Sequence, residues 1–273
     1  MGNVSRRPSF AFGRRGVLAL VAAAAGLATL FWLAEAGGAR VGDGETRRAV
    51  LAISWQPAFC EGRPRLPECR SQRPGRIDTQ QFSLHGLWPQ GASNSRRENY
   101  CGTRRTVGSS APRRGGRDWS SLPGLGLDRD LARRLLAAMP GTRSFLHRHE
   151  WEKHGTCYRP AHGPRDAANY YEDSLALLDE VNASAVAALF RSNIGRPLAG
   201  PRIRKAFDDA FGAGAGRRVR IECRRDGQRR VIVELQIALA GRFGVDGMAA
   251  LLRGARPVRM GCPQGIVDPV GFQ

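Results

Sequence analysis

The sequence predicts an α+β domain, a central antiparallel sheet with several packed helices, stapled by disulfides. Three observations predict it. Runs of β-branched and aromatic residues with period-two alternation lie toward both ends of the chain, at Val50–Trp55 and Val231–Ala240, while the middle carries consecutive stretches with apolar residues at helical spacing. That order suits one core over residues 50–273. Six cysteines, an even number, all lie beyond residue 36, as expected for a disulfide framework in an oxidising compartment.

The chain opens with a basic flank, Arg6, Arg7, Arg14 and Arg15, followed by an apolar run from Val17 to Ala34. With the small-residue pattern Ala34-Glu35-Ala36, residues 1–36 read as a signal peptide cleaved before Gly37. The apolar run is also long enough for a bilayer span, so an uncleaved membrane anchor through residues 17–34 is the alternative. Either way the rest is expected to be exported, periplasmic or secreted. Residues 37–49, rich in Gly and charge, read as a linker, and Val50–Trp55 and Asp78–Leu84 as strands. Cys60 and Cys69 bracket a short loop containing Pro and Arg and are expected to pair locally. Gly91–Ser121, poor in apolar residues, holds Arg96, Arg97, Arg104, Arg105, Arg113, Arg114 and Arg117 and reads as a cationic loop.

Leu127–Met139 is amphipathic, with Leu131, Leu135 and Leu136 on one side, and Pro140-Gly141 stops it. Ala167–Leu178, Ala183–Ser192 and Ile203–Phe211 follow as helices, the last closed by Gly212. Tyr170 and Tyr171 read as packing at helical spacing, and His162, in a Pro/Gly loop beside Arg159 and Arg165, as a surface histidine. Val219–Cys223 and Val231–Ala240 read as a hairpin turned through Asp226-Gly227, its β-branched residues beneath the helices. Asn182-Ala183-Ser184 matches a glycosylation acceptor, for which only a eukaryotic secretory route has a use.

The chemistry concentrates in His147–Cys157. In a helix running to Gly155, steps of about 100° per residue put His149, Lys153, Glu150 and His154 within an arc of about 140°, away from Trp151 and Glu152. A zinc-binding helix of the His-Glu-x-x-His kind needs its two histidines four apart, and His149 and His154 are five apart, which argues for acid-base chemistry instead. Histidine titrates at roughly 6.5 and can both take and give a proton near working pH. Outside the stretch only His85 and His162 remain. His85 ends an apolar and aromatic run, with Gly86 permitting close backbone approach and Pro89 stopping a ladder, so the imidazole is expected where a strand leaves its sheet. Of the 43 Lys and Arg residues only Lys153 and Lys205 are lysine, which marks Lys153 as an unusual choice. A compact ammonium suits a developing oxyanion.

His85-Gly86-Leu87-Trp88-Pro89 together with His149-Glu150-Trp151-Glu152-Lys153-His154-Gly155-Thr156-Cys157 resembles the two active-site segments of the ribonuclease T2 family, acid ribonucleases that cut RNA without a metal. Ile53-Ser54-Trp55-Gln56-Pro57-Ala58-Phe59-Cys60 resembles the first strand of the bacterial members, so the likeness covers residues 50–262. The resemblance implies a ribonuclease T2-like fold and an RNA endonuclease that forms a 2′,3′-cyclic phosphate by attack of the ribose 2′-hydroxyl. It implies His85 and His154 as the acid-base pair, Glu150 and Lys153 at the phosphoryl group, and His149 in phosphate binding. No cofactor or metal is expected, and the working unit is a monomer. The family pattern joins Cys101 to Cys157, which leaves Cys223 with Cys262.

The formal net charge is +19, and residues 1–36 hold only four arginines and Glu35 of it. That suits a polyanionic substrate without naming it; the 2′-hydroxyl requirement selects RNA over DNA. The Arg-rich loop reads either as a phosphate-tracking surface or as a solvated insertion, and Trp88 either as a base-stacking, substrate-binding ring or as core. Fungal relatives carry an acidic residue after the proline of the first segment, where this chain has Gln90, so a base preference does not carry over. Two rival classes stand beside the enzyme: an inactive polyanion-binding protein of the same fold, and a metal-dependent nuclease, which needs carboxylate clusters where this site offers chiefly Glu150.

Overall fold

The computed structural model describes residues 1–2, 47–91, 99–102 and 119–271. The expected export segment from residue 3 onward, with residues 17–34, the expected linker up to residue 46, and all seven arginines of the expected cationic loop lie outside the described residues. Apart from Met1 and Gly2, every described residue belongs to the unit Glu45–Gln273. Among the described residues no helix is long and apolar enough to cross a membrane.

Six strands, β1 (Arg47–Ser54), β2 (Ser83–Gln90), β3 (Pro197–Ala199), β4 (Val219–Asp226), β5 (Arg229–Gly241) and β6 (Gln264–Ile266), form one sheet. Its order is β2-β1-β5-β6-β3, with β4 also on β5. Among the described residues the pairings between these strands are antiparallel except the parallel contact of β5 with β6, and two isolated parallel bridges, Ile194 with Val267 and Ile221 with Gly261, adjoin them. β1 opens at Arg47, so the last three residues of the expected linker are strand. The second strand is Ser83–Gln90 rather than Asp78–Leu84, and Asp78 lies in a 3₁₀ turn, Ile77–Thr79. Pro89, expected to stop a ladder, instead pairs with Ala49. β2 is an outermost strand, where a missing N–H is tolerated. In the hairpin Asp226 pairs with Arg229, and Gly227 turns at φ +55°.

Eight described α-helices surround the sheet: α1 (Gln56–Cys60), α2 (Pro67–Arg70), α3 (Arg129–Ala138), α4 (Leu146–Lys153), α5 (Ala167–Ala183), α6 (Ala185–Arg191), α7 (Gly200–Phe211) and α8 (Met248–Gly254). The Asp128 carboxylate caps α3 by accepting from the amides of Asp130 and Leu131. Leu131 and Leu135 are buried on its inner face, but Leu136, expected with them, is 43 % exposed. It lies about 100° further round the helix, past the apolar stripe. α5 outruns its expected end at Leu178 and stops at Ser184, whose hydroxyl accepts from Val186 and opens α6. The three-residue strands and α8 were not expected, being too short for periodicity to show.

Trp55 of the β1 exit, Phe82 and Phe190 of α6 meet at centroid distances of 4.6 to 5.7 Å and centre one end of the core. Tyr170 and Tyr171 are fully buried packing, as expected, and His162 is exposed. Two α5 side chains also satisfy the outer backbone of the edge strand and its approach. The Tyr170 hydroxyl accepts from the Leu87 amide and donates to the Leu87 carbonyl, and the Asn182 amide group does the same for Phe82. Asn182 is thus engaged in the fold, which removes it as a free glycosylation acceptor in the folded protein. The three expected disulfides, Cys60–Cys69, Cys101–Cys157 and Cys223–Cys262, are all formed, with Cα–Cα distances of 5.2, 4.8 and 5.8 Å.

The C-terminal strand is latched by charge. Arg229, at the start of β5, donates to Asp268 at 2.9 Å and to Glu61 at 3.3 Å, and also holds Asp226. Asp268 is fully buried, and burial pushes its carboxyl up to about 6, with the Arg229 charge opposing and the Glu61 charge adding. The folded protein therefore binds this proton more tightly than the unfolded chain, so stability rises as pH falls from about 6 toward the ordinary carboxylate value of 3.8. A shift of about two pH units corresponds to about 3 kcal/mol. Asp268→Asn is expected to erase up to that much of the difference between urea-unfolding free energies at low and neutral pH; an unchanged difference would refute the raised Asp268 carboxyl.

Candidate active site

His85 owes its position to a β-bulge. In the β1–β2 ladder Ala52 pairs with Gly86 and Ile53 with Leu84, leaving His85 as the extra residue. Bulges re-aim side chains, and here the imidazole is thrown out of the pleat toward α4 while remaining within the strand, not where it leaves the sheet. Gly86 admits the opposing helix: a Cβ there would collide with a Glu150 carboxylate oxygen and with the Trp88 indole nitrogen.

α4 begins on Phe145, a non-glycine residue in the left-handed region at φ +61°. Its first turn is pinned by Arg148, which stacks 4.7 Å over the Phe145 ring and donates to the carbonyls of Ser120 and Leu122. The helix ends at Lys153, two residues before the expected Gly155. His154 is its C-cap, its amide bonded to the Glu150 carbonyl at 2.9 Å, and a 3₁₀ turn, Gly155–Cys157, follows. Gly155 has its reason in packing, because a Cβ would strike the Trp151 ring. His154 thus departs from helical phase and turns inward.

The result is a compact group. Glu150 and His154 are buried, 3 % and 2 % exposed, and His85 is half-buried. The Trp88 ring contacts both histidines, 5.1 Å from His85 and 5.6 Å from His154 by centroids. Its indole N–H donates to Glu150 Oε2 at 2.8 Å, while Glu150 Oε1 stands 3.9 Å from His85 Nε2. Trp88 is 4 % exposed and packs within the group. Lys153 is close enough for its charge to act on both His85 and Glu150. His149 stacks on Trp119 at 4.8 Å and 14°. The single ionisable face expected of α4 is therefore divided: Glu150 and Lys153 act on His85, His154 packs on Trp88, and the described ring contact of His149 is with Trp119. His147, earlier in the stretch, is pushed down to about 4 by burial and by Arg148.

Burial raises the Glu150 carboxyl, against His85, the Trp88 N–H and Lys153, which lower it. Burial lowers the His85 imidazole, but a hydrogen bond to Glu234 and the charges of Glu150 and Glu234 outweigh it, so His85 is raised on balance. Glu234 was not anticipated from the sequence. Its Oε2 lies 2.6 Å from His85 Nδ1. The available signal was the polar pair Glu234 and Gln236 interrupting the apolar run of β5 at period two, which puts both on one face. Trp119, at the end of the Arg-rich segment, carried no signal.

The segment after the first histidine is fastened beneath this group. The Tyr100 amide donates to the Lys153 carbonyl at 2.8 Å, the Cys101 amide to the Thr156 hydroxyl at 3.1 Å, and Cys101 is bonded to Cys157.

A model of the Ribonuclease T2 family matches residues 47–246. The chain belongs to the ribonuclease T2 family. It is 29 % identical over 215 residues to Ribonuclease I of Escherichia coli (strain K12), across 72 % of this chain and 76 % of that protein. A ribonuclease of Aeromonas hydrophila is 32 % identical over 126 residues, 46 % of this chain and 44 % of that one. Among solved structures the S3-RNase of Japanese pear shares the fold, with a TM-score of 0.51 at 17 % identity over 80 % of this chain and 96 % of its own. As a ribonuclease T2 member the chain is an endoribonuclease. Both segments that carry the ribonuclease T2 resemblance lie within the matched residues, and Trp88 and Glu150 are where the fold packs one against the other.

Proposed function

We propose that the chain cleaves single-stranded RNA without a metal, by transphosphorylation to 2′,3′-cyclic phosphate ends, with His85 and His154 as the acid-base pair. The packing of both imidazoles against Trp88, whose indole N–H holds the buried Glu150 carboxyl between β2 and α4, carries this reading. One histidine removes the 2′-hydroxyl proton, O2′ bonds to phosphorus, the bond from phosphorus to O5′ breaks, and the other histidine protonates the departing O5′. The raised His85, protonated over a wider pH range, suits the acid, and His154 the base. Lys153 and Glu150 serve the phosphoryl group: the ammonium meets charge developing on its oxygens, and Glu150, kept in place by the Trp88 N–H, fixes the geometry between the histidines. Trp88 on this reading holds the carboxyl and the imidazoles apart at working distance, and His149 with Trp119 borders the phosphate path. The disulfides and the sequence of residues 1–36 support an exported protein, cleaved or held by its N-terminal apolar run, acting on RNA as a monomer.

The test is cleavage of a short RNA by the purified, disulfide-bonded protein in EDTA at about pH 5–6, below the ordinary histidine value. Cyclic phosphate ends and an intact DNA of the same sequence are expected. Cleavage lost in EDTA and restored by magnesium would replace this mechanism with a metal-dependent one, and RNA bound but left whole would favour the polyanion-binding protein.

A further inference from the structure

The His85 ring is held from behind. Nδ1 faces Glu234 Oε2 at 2.6 Å, and the other oxygen of that carboxylate, Oε1, accepts from Gln236 Nε2 at 2.8 Å. Nε2 faces Glu150 and the open side of the group. Glu234 is itself set by a register shift: Glu222 pairs with Glu234 and Cys223 with Ile232, leaving Val233 extra in β5, and the Val233 carbonyl takes the Trp55 amide at 3.0 Å. Both partners of the 2.6 Å contact therefore sit at bulges, one in each of two strands separated by β1.

We propose that Glu234 is a positioning residue for the cleavage reaction: it accepts the Nδ1 proton of His85, fixes the ring with Nε2 toward the substrate, and sustains the imidazolium, while Gln236 fixes Glu234. The inference rests on His85 being one of the acid-base pair. A half-buried imidazole has two nitrogens and can flip, and only one of them can reach a departing O5′. A carboxylate on Nδ1 removes that ambiguity and stabilises the charged ring. Burial alone works against the imidazolium; Glu234 and Glu150 reverse it, and Lys153 opposes them. The remaining charge facing Glu234 from the sheet is Glu222, opposite it on β4 and engaged with Arg220.

Glu234→Gln keeps the shape and removes the charge. Expected are a kcat loss of about 10- to 100-fold, a part of the roughly 10²–10⁴ that acid-base assistance supplies, and a move of the alkaline limb of the kcat profile to lower pH, with KM little changed. Glu234→Asp should return the limb toward its original position. In the unaltered protein, nitrogen NMR of His85 should show the proton on Nδ1 in the neutral ring, a readout independent of how any variant folds. A proton on Nε2, or a limb that stays in place in folded Glu234→Gln, would overturn the inference. His85→Ala separates the two readings: if it remains active, the acid-base assignment itself fails; if it is inactive while Glu234→Gln keeps its limb, only the role of Glu234 fails.

Discussion

RNA cleavage by the His154→Ala protein is expected to be slower by about 10²–10⁴, a barrier raised by roughly 3 to 5 kcal/mol. The size of the effect follows from where the ring sits. His154 is 2 % exposed, turned inward at the end of α4, with Trp88 against one face. Water has little access there, so no solvent molecule replaces the imidazole at low cost. Its backbone amide is what caps α4, through the Glu150 carbonyl, and that bond survives the substitution, so Glu150 and Lys153 keep their helix. Single-turnover cleavage, with circular dichroism to establish folding, measures the loss as a chemical one. A rate within a factor of three of the unaltered protein would remove His154 from the mechanism.

The second large effect concerns the staple beneath the group. Replacing Cys101 and Cys157 together by alanine is expected to cost about 4 kcal/mol of unfolding free energy in the chain-entropy description, because the bond closes a long loop. The separation is 56 residues, against 9 for Cys60–Cys69, whose removal should cost about 2.5 kcal/mol. Urea unfolding of the two double variants tests the order, and a larger loss from Cys60–Cys69 would refute it. Activity should fall too in the first variant, since the covalent tie of this segment to the end of α4 is then gone and the Tyr100 and Cys101 amide hydrogen bonds must hold it without that tie.

Much of the site was legible because its residues lie in two short segments with strong local character. What the segments do to each other was not. The expected helix face treated α4 as ideal through Gly155, and the helix stops at Lys153, because Trp151 packs on Gly155 and the chain tightens into a 3₁₀ turn. Pro89 argued locally against a ladder, yet it lies within β2 because β2 is outermost, while at Gly86 it is the Glu150 carboxylate that makes the close approach requiring a glycine. The helices of the middle were placed within a few residues, where apolar spacing and caps such as Asp128 and Ser184 agree. Leu136 shows the limit of spacing alone, since a stripe's width is set by what packs on it. Glu234 is 149 residues from His85, a partnership that only the order of strands creates.

The clamp of Tyr170 and Asn182 on the edge strand bears on how the protein survives in company. An outermost strand offers unpaired amides and carbonyls to any similar strand it meets, which is a route to intermolecular sheets and fibrils. β2 is such a strand, and it carries His85, the histidine proposed for the acid-base pair. Here the protection comes from side chains of one helix acting as a surrogate neighbour at Phe82 and Leu87, with Pro89 withholding a donor further along. The fold thus leaves the rest of the strand uncovered while denying other copies of the chain a template, a protection that costs no extra strand.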